Sequence, residues 1–170
     1  MASRSSFSSF SAWGDAFDSY QESARGAVID ATNHLGEQAR DAIRSRIPPS
    51  ASTSVGMPYP FPGYAATGVL RESIISTDAN DSPPETPTVA VGLSPSAGRL
   101  EQIKAHVHEF GAVIYPKNAK ALRFEIKGEV IYAKRVQIKE KMFFRSGWVE
   151  FAQNAPEIMS RFLAEHWPGA

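Results

Sequence analysis

Cysteine is absent from the 170-residue sequence, which removes disulfide staples, thiolate nucleophiles, thiolate zinc sites and iron–sulfur clusters together. That absence fits a reducing compartment. Nowhere does an apolar run approach the roughly 18 residues a membrane-spanning helix needs, so a soluble protein is expected. Excess charge is missing as well: 18 Lys and Arg stand against 18 Asp and Glu. Coating nucleic acid by bulk charge is therefore not expected, and any electrostatic role must be local. The sequence has no G-x-x-x-x-G-K-S/T phosphate loop, no G-x-S-x-G elbow and no S-x-x-K pair, so it offers no familiar catalytic centre. What remains is an ordinary composition, 42% apolar and 21% charged, which predicts a chain that folds around one core.

Residues 1–11, MASRSSFSSFS, lack the apolar stretch of a secretory signal and predict a flexible arm ahead of a single domain over 12–170. From Phe10 to Ile47 the apolar residues recur mostly every three or four positions, through Trp13, Phe17, Tyr20, Ala24, Val28, Ala31, Leu35, Ala39 and Ala42. That spacing predicts one long helix or two collinear ones. Arg40, Arg44 and Arg46 suit its carbonyl end, and Pro48 and Pro49 stop it. Gly14, Gly26 and Gly36 are expected bend or close-contact points. Residues 48–68 hold five prolines and three glycines, which predicts an extended loop whose aromatics Tyr59, Phe61 and Tyr64 either cover the domain's own core or meet a partner.

Beyond Gly68, VLRESIIST and TVAVGL predict a hairpin with a loose tip at DANDSPPETP. Leu100, Ile103, Val107 and Phe110 predict a short helix that Gly111 ends. Val113–Tyr115 reads as a short strand, and ALRFEIKGEVIYAKRVQIK as an antiparallel hairpin turning at Gly128. Phe144 to Trp167 reads as an amphipathic helix in which Pro156 marks a start or kink. The sum is an α+β fold: a long N-terminal helix, a small antiparallel sheet with a central hairpin, a short middle helix, and a C-terminal helix packed on the sheet. The expected core is Leu122, Phe124, Ile126, Tyr132, Val136 and Ile138 beneath Trp148, Phe151 and Phe162.

Two features could carry chemistry. His106-Val107-His108-Glu109 is the one histidine cluster, but on a helix two positions apart the imidazoles diverge by about 200° and do not chelate one ion. His34 and His166 lie far away in sequence, so no metal site and no cofactor are expected. The second feature is Lys117 to Arg145, with nine basic residues (Lys117, Lys120, Arg123, Lys127, Lys134, Arg135, Lys139, Lys141, Arg145) against three acidic ones. Its balance of +6 is matched by −6 in the remainder. This reads first as a basic surface, centred on Lys134 and Arg135, that meets the acidic helical part of a neighbouring copy. A solvated face and contact with DNA phosphates are the other readings.

The order of segments resembles the neck or tail-completion proteins of long-tailed bacteriophages, which include minor tail and head-tail joining components. The residues that carry it are Thr67-Gly68-Val69-Leu70-Arg71-Glu72-Ser73-Ile74, then His108-Glu109-Phe110-Gly111. After these come Ile114-Tyr115-Pro116-Lys117-Asn118-Ala119-Lys120-Ala121-Leu122-Arg123-Phe124 and Phe143-Phe144-Arg145. IKEKMFFR stands where the family has a proline-rich lead into the last helix. The resemblance implies a virion structural protein assembled in the host cytoplasm and not an enzyme. Its subunits would form a six-fold ring at the head–tail junction, among other neck, connector and tail-tube proteins. DNA would pass through the lumen without sequence-specific binding, and no membrane would be involved. Tyr59, Phe61, Tyr64, Lys134 and Arg135 are then the candidate assembly interface. The alternative function is a small nucleic-acid-binding module using the basic hairpin 117–145.

Overall fold

The computed structural model describes residues 9–47, 68–80, 86–126 and 129–168. Helix α1 (Phe10–Ser45) is followed by α2 (Val69–Glu72), β1 (Ile74–Ser76), β2 (Val91–Leu93), α3 (Arg99–Phe110), β3 (Ala112–Ile114), β4 (Leu122–Ile126), β5 (Glu129–Ala133), β6 (Val136–Ile138) and α4 (Phe143–His166). The fold is α+β, as the sequence predicts. The strands do not join one sheet: β1–β2, β3–β6 and β4–β5 are three antiparallel two-stranded ribbons. The expected loop at 48–68, with Tyr59, Phe61 and Tyr64, lies outside the described residues up to Gly68.

The described residues form two compact units. Those within Met1–Glu37, Thr77–Ala90 and Asn154–Ala170 form the first, and those within Gln38–Ser76 and Val91–Gln153 the second. In the first unit, Ser9 accepts a hydrogen bond from the Ala12 amide at 3.2 Å, the N-cap arrangement that starts α1. Ala27 and Ala31 are its buried apolar positions. Asn33 Oδ1 accepts the Ala79 amide at 2.6 Å, tying the helix to a backbone bridge between Asn80 and Thr88. Gly36 does sit in close contact, against Val89, whereas Gly14 and Gly26 face open space. From α4, Phe162 stacks on His34 with centroids 4.8 Å apart, and the Trp167 indole donates to the Tyr20 hydroxyl at 3.1 Å. Pro156 lies inside α4 and does not end it.

The second unit holds the principal core: Ile43 from α1 and Ile47 just after it, Leu70 from α2, Ile74 from β1 and Phe143 from α4, flanked by Val91, Leu93, Ala105 and Phe144. Ile43 and Ile74 are the large side chains fully sealed from water. Arg44 does more here than suit a helix dipole. Its guanidinium donates to the carbonyls of Ile74 at 2.9 Å and Glu72 at 3.1 Å, satisfying backbone acceptors at the α2–β1 corner that no ladder reaches. Gly147 of α4 passes so near α1 that an added Cβ would meet Ile43 Cα at 2.7 Å and Ala42 O at 3.1 Å. Only glycine permits this approach.

The ribbons differ from expectation in placement and register. Val136 and Ile138 do not continue the β4–β5 hairpin; they turn back and pair with β3, Ile114 opposite Val136 and Ala112 opposite Ile138. Tyr132 is not a core residue. It pairs with Arg123 and is 66% exposed, because a register in which Leu122 faces Ala133 puts Tyr132 across from a charged residue. The side chains of Phe124 and Ile126 lie outside the described residues. Among the described residues, the hydrophobic centre sits on α1, α2, β1 and α4.

One contact closes the base of the ribbon excursion. The Glu109 carboxylate, buried at the end of α3, accepts the amides of Phe144 at 2.9 Å and Arg145 at 3.3 Å. It caps the N-terminus of α4 from another helix, supplying an acceptor to orphan amides and negative charge to the positive end of the dipole. Arg145 returns an ion pair at 3.9 Å. Replacing Glu109 by Ala is expected to cost about 1–3 kcal/mol by leaving those amides unpaired. Urea unfolding midpoints of wild type and variant measure the loss.

Candidate assembly surface

Lys134 and Arg135 join the end of β5 to the start of β6 and are both exposed. The register explains what gathers around them. β3 ends at Ile114 opposite the first residue of β6, and β4 begins at Leu122 opposite the last residue of β5. The connection 115–121 and the turn Lys134–Arg135 therefore leave the same ends of the two ribbons. Lys117, Lys120, Lys134 and Arg135 are brought to one corner, with Tyr115 beside them, itself 59% exposed. Val113, Ile114, Val130 and Tyr132 add exposed apolar area to the ribbons that meet there. Among the described residues, Lys117, Lys120, Arg123, Lys134, Arg135 and Lys139 have no carboxylate within salt-bridge distance. By contrast Arg46 pairs with Glu150, and Lys104 with Glu101 at 3.5 Å.

Cations beside apolar side chains, left exposed by their own chain, form a surface suited to carboxylates or phosphates carried by something else. Of the five residues expected at an interface, the structure places Lys134 and Arg135 at this corner; Tyr59, Phe61 and Tyr64 lie outside the described residues. The basic count was legible in the sequence. The corner was not, because it depends on β6 pairing back to β3 across more than twenty residues of intervening chain.

The histidine cluster resolves into two different environments. Both residues sit on α3, as the helical spacing predicts, and no group of three or more His, Asp or Glu able to hold a metal occurs among the described residues. His106 is exposed, its ring 4.9 Å from Phe110. His108 is half-buried, and its backbone carbonyl accepts the Lys141 amide at 2.8 Å. Glu109, the third member, is committed to the α4 cap. A concavity of about 590 Å³ is lined by α2 and the start of α3, including Arg71, Glu72, Ser73, Ser94 and Glu101. Its serine hydroxyls are engaged locally, Ser73 with the Val69 carbonyl and Ser94 with Ser96, and no histidine lines it.

Burial holds the His108 pKa below its ordinary value of 6.5, with the positive charges of Lys141 and Lys104 adding to the effect. A folded-state value below the unfolded one means the unfolded chain takes up the proton first. The stability that neutral His108 contributes is complete above about pH 6.5 and is lost progressively as the pH falls below it. The urea midpoint is expected to drop between about pH 7 and pH 5, and His108→Gln is expected to flatten that part of the profile.

No family model, curated protein or solved structure matches the chain. No helix among the described residues is long and apolar enough to cross a membrane.

Proposed function

We propose that this chain is a structural subunit of a ring at the head–tail junction of a bacteriophage, in a neck or tail-completion role within the virion. Its chemistry is assembly and not catalysis. The observation that carries the reading is the convergence of motif segments far apart in sequence. Leu70 and Ile74 of the first segment pack with Phe143 of the last, while Glu109 of the second binds the amides of Phe144 and Arg145. Gly111, in the same second segment, has φ +72°, and a Cβ there would meet the Ile138 carbonyl at 2.8 Å, so the motif requires glycine at this point. The resemblance thus falls on residues that hold one scaffold together. The middle segment, Ile114 to Phe124, runs from the end of β3 into β4 and carries two of the four cations at the corner.

A ring closes when two different patches on each subunit meet. The even division of charge, +6 in Lys117–Arg145 and −6 elsewhere, lets identical subunits neutralise one another head to tail. Tyr59, Phe61 and Tyr64 belong to the proposed interface on sequence grounds, since aromatic anchors dominate such contacts. The exposed cations also favour a second reading, a nucleic-acid-binding module, in which the same corner grips phosphate.

Native mass spectrometry and negative-stain imaging of the purified full chain test the ring. The expected result is one closed species of six copies with a central opening. A monomer at every concentration, or an open polymer of no fixed size, would count against the reading.

A further inference from the structure

Among the described residues, the aromatic stripe of α1 continues past the last partner that α4 provides. Phe162 covers His34 and Trp167 reaches Tyr20, so α4 runs antiparallel to α1 and ends there. Beyond it, Phe10, Trp13 and Phe17 stack on one another with centroids 5.7 and 5.6 Å apart, yet are 86%, 46% and 47% exposed. Three stacked rings left in water at the end of a helix are an unfinished packing surface.

Charge selects what finishes it. From Phe10 to Glu22 the helix carries Asp15, Asp18 and Glu22 and no Lys or Arg. Pairing two such stripes from two copies would bring six carboxylates together, so like-with-like docking is disfavoured. The complementary surface is the corner described above, with aromatic Tyr115 and Tyr132 exposed beside Lys117, Lys120, Lys134 and Arg135. Asp18 stands about 80° round the helix from Phe10. Lys and Arg stems lying along the helix can reach it while the rings pack on the ribbon.

We propose that Phe10, Trp13 and Phe17 of one copy dock on the Tyr115–Lys134–Arg135 corner of a second copy. The proposal rests on the assembly reading and supplies its contact: stripe and corner are different patches, so the contact is heterologous and repeats from copy to copy.

The test is sedimentation velocity on the full chain and three double variants, each first confirmed as folded by circular dichroism. W13S/F17S is expected to weaken association by about thirtyfold or more, the loss of two aromatic anchors. D15K/D18K and K134E/R135E are each expected to stay dissociated alone, because the first sets a basic stripe against the basic corner and the second cancels the corner's charge and sets two carboxylates against the acidic stripe. Mixed in equal amounts they are expected to co-assemble, since each variant's stripe now opposes the other's corner. The charge variants also keep the proposal testable should W13S/F17S fail to fold. Association of W13S/F17S at wild-type strength would overturn the docking while leaving the ring intact. A mixture that stays dissociated would overturn it equally. A wild-type chain that remains monomeric would overturn both the docking and the ring.

Discussion

The grip of the Glu109 carboxylate on the first amides of α4 is the contact on which the rest of the second unit depends. Between Glu109 and Phe144 the chain leaves the core, builds both basic ribbons and returns. Three interactions seal the base of that excursion. Glu109 caps α4, the His108 carbonyl takes the Lys141 amide, and Gly111 lies against Ile138 and Glu140. Met142, at φ 48°, is the one described non-glycine residue in left-handed backbone, a conformation that costs about 1–2 kcal/mol. It turns the returning chain into α4, directly before the helix that Glu109 holds. Once the base is closed, the ribbons need little burial of their own, which is how a lobe with Tyr132 and Tyr115 in water stays attached to a small core.

That core is a meeting of short elements on two long helices. Ile43 and Ile74 are sealed, and Gly147 lets α4 come close enough to α1 for Phe143 to join them. The arginines at the end of α1 act locally, Arg44 on backbone carbonyls and Arg46 on Glu150. The cations of the ribbons have no such use within the described residues. In the proposed ring, a second surface of opposite charge on an identical chain would meet these cations and exposed rings.

Local signals in the sequence were reliable where neighbours in sequence decide the structure. The stripe from Phe10 predicts α1, Gly111 ends α3, and the β-branched run at Val91 pairs back on Ile74. The failures are all non-local. Nothing near Val136 says that it will leave β5 and pair with Ile114. Glu109 looked like part of a histidine cluster because its partners, the amides of Phe144 and Arg145, lie more than thirty positions on and carry no side-chain signature. The alternation after Gly128 pointed to Tyr132 as a core residue, but register placed it opposite Arg123 and left it exposed. The candidate surface was legible as a count of charges. Its shape as a corner came only with the pairing of β3 and β6.

The central claim is that the basic corner meets protein carboxylates and not phosphate. Fluorescence anisotropy of labelled duplex DNA, titrated with the purified wild-type chain across ionic strength, separates the two. The account predicts no binding in the micromolar range near about 0.15 M salt, because a ring through which DNA slides must not hold it. Micromolar or tighter binding there, falling steeply as salt rises, would contradict the account and establish the corner as a phosphate-binding surface.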